Sequence, residues 1–141
     1  MTERVLHDKT ILVVEDDYLI AEVLVELLES AGATVIGPHG LAQEALWVAM
    51  DTSQRIDAAV LDINLHGIVS YPVADVLIDR QIGIVFATGY DAGGVDEAYR
   101  HHAICTKPFN KNALLAALLA AFVPAAVTGS HPARGYGSGP G

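Results

Sequence analysis

The chain has one cysteine in 141 residues, eight Lys and Arg against seventeen Asp and Glu, and no apolar run that would span a bilayer. Each shortage excludes something. Cys105 alone forms no internal disulfide, and the histidines at 7, 39, 66, 101, 102 and 131 show no zinc-ligand spacing with it or with one another. The cations are scattered and the net charge is −9, which argues against nucleic acid as the main partner and against a DNA-contacting module. The start, MTERVLHDKT, lacks the apolar core of a signal peptide. Export is therefore not expected, and the cytoplasm is the natural setting. The longest apolar stretch, ALLAALLAAFV, begins at Ala113 and meets Pro124 after eleven residues, about half a membrane span. It reads as a helix of a soluble domain, with no membrane partner.

What is present is a folding chain. Apolar residues make up 52% and charged ones 18%, which suits one domain of this length with a buried core. Short runs rich in Val and Ile alternate with helical patterns. TILVV (10 to 14) is apolar on both faces, as in a buried parallel strand, and DDYLIAEVLVELLESAG follows with Ile20, Leu24, Leu27, Leu28 and Ala31 at helical spacing before Gly32. The unit repeats as TVIG and LAQEALWVAM, AAVL and PVADVLIDR, GIVFA and VDEAYRHH, and AIC and NALLAALLAAF. Strand–helix pairs in this number predict an α/β fold, a five-stranded parallel sheet with helices on both faces. The domain is expected over residues 1–123. From 124 to 141 the sequence PAAVTGSHPARGYGSGPG reads as a flexible Gly/Pro-rich tail.

Open parallel α/β sheets bind ligands beyond the carboxyl ends of their strands. The residues there are Glu15, Asp16 and Asp17 after the first strand, Asp62 and Asn64 after the third, Thr88 after the fourth, and Thr106, Lys107 and Pro108 after the fifth. AAVLD is unusual in ending a buried run on a carboxylate, where desolvation opposes charge. Carboxylates gathered from adjacent strands repel one another and call for a cation. All-oxygen ligands suit Mg²⁺ rather than zinc or copper. A lysine and a threonine hydroxyl facing the same place complete the equipment for holding a phosphoryl group.

VVEDD, LDINL, FATGY and TKPF, in this order, resemble the motifs of the receiver domain of two-component response regulators over roughly residues 8 to 123. The resemblance implies a flavodoxin-like, doubly wound (βα)5 domain with strand order 2-1-3-4-5. It also implies that Glu15 and Asp16 order Mg²⁺, that Asp62 is the phosphoacceptor and a metal ligand, and that the Asn64 carbonyl joins the metal. Thr88 then matches the family's hydroxyl residue and Lys107 its lysine, whose bond to Pro108 is commonly cis. The implied function is a single-domain, non-enzymatic response regulator. It would take phosphate from a histidine kinase or histidine phosphotransfer protein and signal through protein contacts or act as a phosphate sink. The face of the fourth helix, fifth strand and fifth helix is the expected site of homodimerisation or target docking.

The sequence departs from that pattern at three places. Ile104 stands where receivers usually carry Tyr or Phe, His66 stands where many relatives have proline, and Asp91 replaces the second aromatic of the pair that follows FATG in the stand-alone receivers, frequent in alphaproteobacteria, that FATGY resembles. Simpler readings exist for single residues. Asp16 and Asp17 are also good helix caps, Asp62 a turn-starter, His101 and His102 a solvated helix end, and Cys105 a small core hydrophobe. Tyr90 belongs either to the core or to a cover over the site. Among other classes, a haloacid dehalogenase-type phosphatase needs a second Asp where Asn64 stands, and a flavodoxin needs a Ser/Thr/Gly-rich loop where Glu15 to Asp17 stand. A receiver-like module that is never phosphorylated would have no need of the acids and lysine.

Overall fold

In a computed structural model, which describes residues 4–89 and 94–122, the chain forms a parallel sheet between two layers of helices. In chain order the elements are β1 (Thr10–Val14), α1 (Tyr18–Ser30), β2 (Thr34–His39), α2 (Ala42–Met50), β3 (Ala58–Asp62), β4 (Asn64–Leu65), β5 (Ile68–Val69), α3 (Tyr71–Asp79), β6 (Gly83–Thr88), β7 (Ala103–Thr106) and α4 (Lys111–Ala121). The main sheet runs β2-β1-β3-β6-β7, all parallel, and β4-β5 is a separate hairpin. Counting only the main-sheet strands, this is the order 2-1-3-4-5 of flavodoxin-like folds.

Period-two alternation sorts the strand residues into two cores. Leu12, Val14, Ala59, Leu61, Ile84 and Phe86 pack under α2 and α3. Ile11, Val13, Ala58, Val60, Val85, Ala87 and Cys105 pack under α1 and α4. Helix α1 buries Ala21, Leu24 and Leu28, and α4 buries Leu114 and Leu118. Each of these two helices begins on a side-chain cap. Asp17 accepts hydrogen bonds from the Leu19 and Ile20 amides, and Asn110 accepts one from Ala113. The end of α4 approaches β6 so closely that a Cβ on Gly83 would overlap the Ala121 carbonyl.

Two features differ from expectation. VDEAYRHH does not form an α-helix; between β6 and β7 the described residues contain no α-helix, only 3-10 geometry, with a three-residue turn at Glu97–Tyr99. The segment is too short to repay helix nucleation, and the Asp96 amide, at the turn's N-cap, is taken by the Tyr71 hydroxyl at 2.7 Å. The β4–β5 hairpin is the second difference. Leu65 pairs with Ile68 across a His66–Gly67 turn in which both residues have positive φ, 52° and 86°, the geometry of a tight two-residue hairpin loop. The Lys107–Pro108 peptide is cis, as is Gly37–Pro38. Tyr90, Asp91 and the expected tail from residue 124 lie outside the described residues.

Candidate functional site

Strand register brings the predicted residues to one level. Val14 pairs with Leu61, Asp62 with Ala87, and Thr88 with Thr106. Glu15 therefore follows β1 at the height of Asp62, while Lys107 follows β7 one step beyond Thr88. Alternation continues past the strand ends, so Glu15 falls in step with Val13, Asp62 with Val60 and Lys107 with Cys105, all of the α1–α4 side. Three strands thus deliver two acids and a lysine to one spot.

The contacts follow from that convergence. Lys107 Nζ lies 2.8 Å from Glu15 Oε1 and 3.3 Å from Asp62 Oδ2. Glu15, Asp16 and Asp62 each offer a carboxylate oxygen, and these oxygens all lie within 4.8 Å of one another. Glu15 is buried at 3% exposure; its Oε2 accepts the Asp17 amide at 3.0 Å, whereas its buried Oε1 has the lysine as a charged neighbour but no hydrogen bond of good angle. Asp16 is held from the other side by the hairpin, with the His66 amide donating to Asp16 Oδ2 at 2.8 Å and His66 Nδ1 at 3.5 Å.

The electrostatics show an excess of negative charge. Burial pushes the Asp62 carboxyl up to about 6, Glu15 and Asp16 push the same way, and Lys107 opposes them. Burial by itself would depress the Lys107 ammonium, but contacts with Glu15 and Asp62 outweigh it and the group is raised. One lysine among three carboxylates leaves the cluster short of positive charge. The cluster is an acidic pocket consistent with a divalent metal: an all-oxygen donor set, with the buried Glu15 Oε1 still able to accept.

The other two predicted residues stand differently. Thr88 is buried at the end of β6, where its carbonyl accepts the Lys107 amide at 2.8 Å, but by alternation it belongs with Ile84 and Phe86 on the opposite side of the sheet from Asp62. Asn64 is exposed, and its side chain accepts the Gly67 amide at 2.7 Å, closing the hairpin. Two participants were not singled out from sequence as site residues. His66, noted only as a departure from proline, anchors Asp16, and fully buried Ser70 donates its hydroxyl to the Asp62 carbonyl at 2.7 Å. An Xaa-Gly pair between β-prone residues and a Ser before Tyr-Pro were the available signals for the hairpin and for the start of α3.

Solved structures of the same fold carry a family assignment. The chain is similar to SdrG from Sphingomonas melonis Fr1, at 42% identity over 79% of this chain and 96% of that one, with a TM-score of 0.69. It is similar to the BeF3-activated conformation of SdrG from Pseudomonas melonis Fr1, at 38% identity over 87% and 100% of the two chains and a TM-score of 0.69. A signal receiver domain of a modulated diguanylate cyclase from Desulfovibrio desulfuricans G20 matches at 27% identity over 80% and 92%, with a TM-score of 0.68. No family model and no curated protein matches the chain. The chain belongs to the receiver domains of response regulators, the signalling domains of two-component systems. Among the described residues no helix is long and apolar enough to cross a membrane.

Proposed function

We propose that this receiver accepts a phosphoryl group on Asp62 from a phosphohistidine of a histidine kinase or histidine phosphotransfer protein. One observation carries the reading: the Asp62 carboxylate ends a buried strand with an ammonium at 3.3 Å and two further carboxylates beside it. A carboxylate oxygen of Asp62 forms the new O–P bond as the P–N bond breaks, and the electron pair leaves with the imidazole, which takes up a proton. The product is a mixed anhydride. Lys107 would offset the incoming charge, and the Asn64 carbonyl is assigned to the metal; the Thr88 hydroxyl, which leaves β6 on the other face, is assigned to the phosphoryl group only beyond the strand ends, where it would reach over the edge of the sheet. Mg²⁺ held by Glu15, Asp16 and Asp62 would supply charge neutralisation and alignment for in-line attack.

The signalling role is that of a stand-alone cytoplasmic receiver of the FATG-motif type, acting through protein contacts or as a phosphate sink, without nucleic acid or membrane as partner. Intact-mass measurement after incubation with a small-molecule phosphodonor and Mg²⁺ tests the chemistry. A hydroxylamine-labile gain of one phosphoryl group, absent in Asp62→Asn, is expected. Equal labelling of the two proteins would move the acceptor elsewhere.

A further inference from the structure

The start of α3 is fastened to Asp62. Ser70 occupies the N-cap position, where a serine hydroxyl usually caps the helix, yet it makes no side-chain cap bond. Its hydroxyl turns back to the Asp62 carbonyl at 2.7 Å, and its amide donates to the Ile63 carbonyl at 2.8 Å. The next residue, Tyr71, stacks face to face on Tyr99, with ring centroids 4.3 Å apart and planes within 1°. Two hydrogen bonds lock the pair in both directions. The Tyr71 hydroxyl oxygen accepts the Asp96 amide at 2.7 Å, and the Tyr99 hydroxyl donates to Asp75 Oδ1, one turn along α3, also at 2.7 Å. Both rings meet the edge or face of Phe86 at 5.9 Å, at 76° and 77°. Phe86 is fully buried and pairs in the sheet with Leu61, the residue before Asp62.

These contacts make an unbroken physical line from the Asp62 main chain to the segment after β6. We infer that Ser70, Tyr71 and Tyr99 are positioning residues that transmit the phosphorylation state of Asp62 to residues 94–102. The inference rests on the acceptor reading of Asp62. Face-to-face rings inside a bracket of hydrogen bonds are held in one arrangement or released, rather than bent gradually, which is what a population shift requires. The segment itself holds only a 3-10 turn, so its placement depends on what it is docked against.

The test is amide chemical-shift mapping of the full chain on adding beryllofluoride with Mg²⁺, in wild type, Tyr99→Leu and Tyr99→Phe. Wild type is expected to respond both around Asp62 and across residues 94–102. In Tyr99→Leu the response at Leu61 and Ile63 should persist, while that across 94–102 falls about twofold or more. Tyr99→Phe keeps the stacked ring but loses the bond to Asp75, one half of the bracket, and should give a distant response between those of Tyr99→Leu and wild type; a Phe variant as deficient as the Leu variant would show that the stack does not carry the coupling. A full distant response in Tyr99→Leu overturns the inference and leaves the acceptor reading intact. Absence of any response in wild type overturns the acceptor reading and this inference with it.

Discussion

Lys107 rests on Glu15: the ammonium is 2.8 Å from Glu15 Oε1, closer than its 3.3 Å approach to Asp62. The lysine is therefore the counter-ion of the most buried acid in the site as well as a neighbour of the acceptor. Removing it by Lys107→Ala strands a buried carboxylate, and breaking such a pair costs about 3 kcal/mol. A divalent cation on the same acids should restore most of that loss. Thermal melts with and without saturating Mg²⁺ check this, and a variant deficit that Mg²⁺ leaves unchanged would show that lysine and metal do not share the site.

Asp62 predicts a pH dependence with a definite sign. Its folded pKa, pushed up to about 6, lies above the 3.8 of a free carboxyl, so between these values the folded protein holds a proton that the unfolded chain releases. Stability of the metal-free protein must therefore fall as pH rises through that window. Asp62→Asn has no charge to bury. After allowance for solvent screening, it should exceed wild type by about 1 kcal/mol at neutral pH, or about 3 °C in Tm. The advantage should shrink as pH falls through this window and vanish only below about pH 3, where the wild-type carboxyl is protonated in both states. An Asn variant less stable than wild type at pH 7 would mean that the charged Asp62 is stabilised rather than strained.

Glu15 and Asp16 differ from Lys107 in what their loss does to Asp62. Both raise its pKa, so replacing the two by alanine should move the Asp62 titration downward in the metal-free protein. The same double variant should bind Mg²⁺ at least about tenfold more weakly, having lost two of three clustered carboxylates. Carboxyl-resolved NMR titration and calorimetry read the two effects separately. Unchanged Mg²⁺ affinity would place the metal on other ligands.

The site was legible where it depends on strand ends. Continuous apolar runs at 10–14, 58–61 and 83–87 fixed the strands, and the polar residue directly after each run had to face the same edge of a parallel sheet. That reasoning reaches Glu15, Asp62 and Thr88 without tertiary information, brings Lys107, two residues past the 103–105 run, to the same edge, and locates Asp17 as a cap because the α1 start follows at once. It fails where a contact joins separate loops. Nothing local in His66 announces Asp16, fifty residues earlier, as the partner of its amide, and the Ser70 hydroxyl prefers a carbonyl eight residues back to its own helix. The helix expected over VDEAYRHH fails for a related reason. Tyr99 and the Asp96 amide are claimed by Tyr71 and Asp75 on α3, and tertiary contacts override a weak local helical preference.

The last prediction concerns α4. Its sequence from Ala113 to Phe122 is apolar throughout, yet only Leu114 and Leu118 are fully buried and Leu115 is half-buried against the α1 side of the core. Ala113, Ala116, Ala120 and Leu119 face outward, and Leu119 keeps 46% of its surface exposed. A surface helix normally carries polar residues on that side. Here the outer face is small and apolar, and β7 beside it is an edge strand of the main sheet. Such a surface suits close approach by a protein, so this face is expected to mediate homodimerisation that phosphorylation strengthens. Leu119→Glu places a charge at the centre of the patch without touching the buried leucines and should leave Tm within about 0.5 kcal/mol equivalent of wild type. Sedimentation velocity with and without beryllofluoride should show the wild-type dimer population rise on activation and the variant remain monomeric. If wild type sediments as a monomer at every concentration in both states, the α4 face does not pair two copies, and its alanines serve only the close packing that brings Ala121 against Gly83.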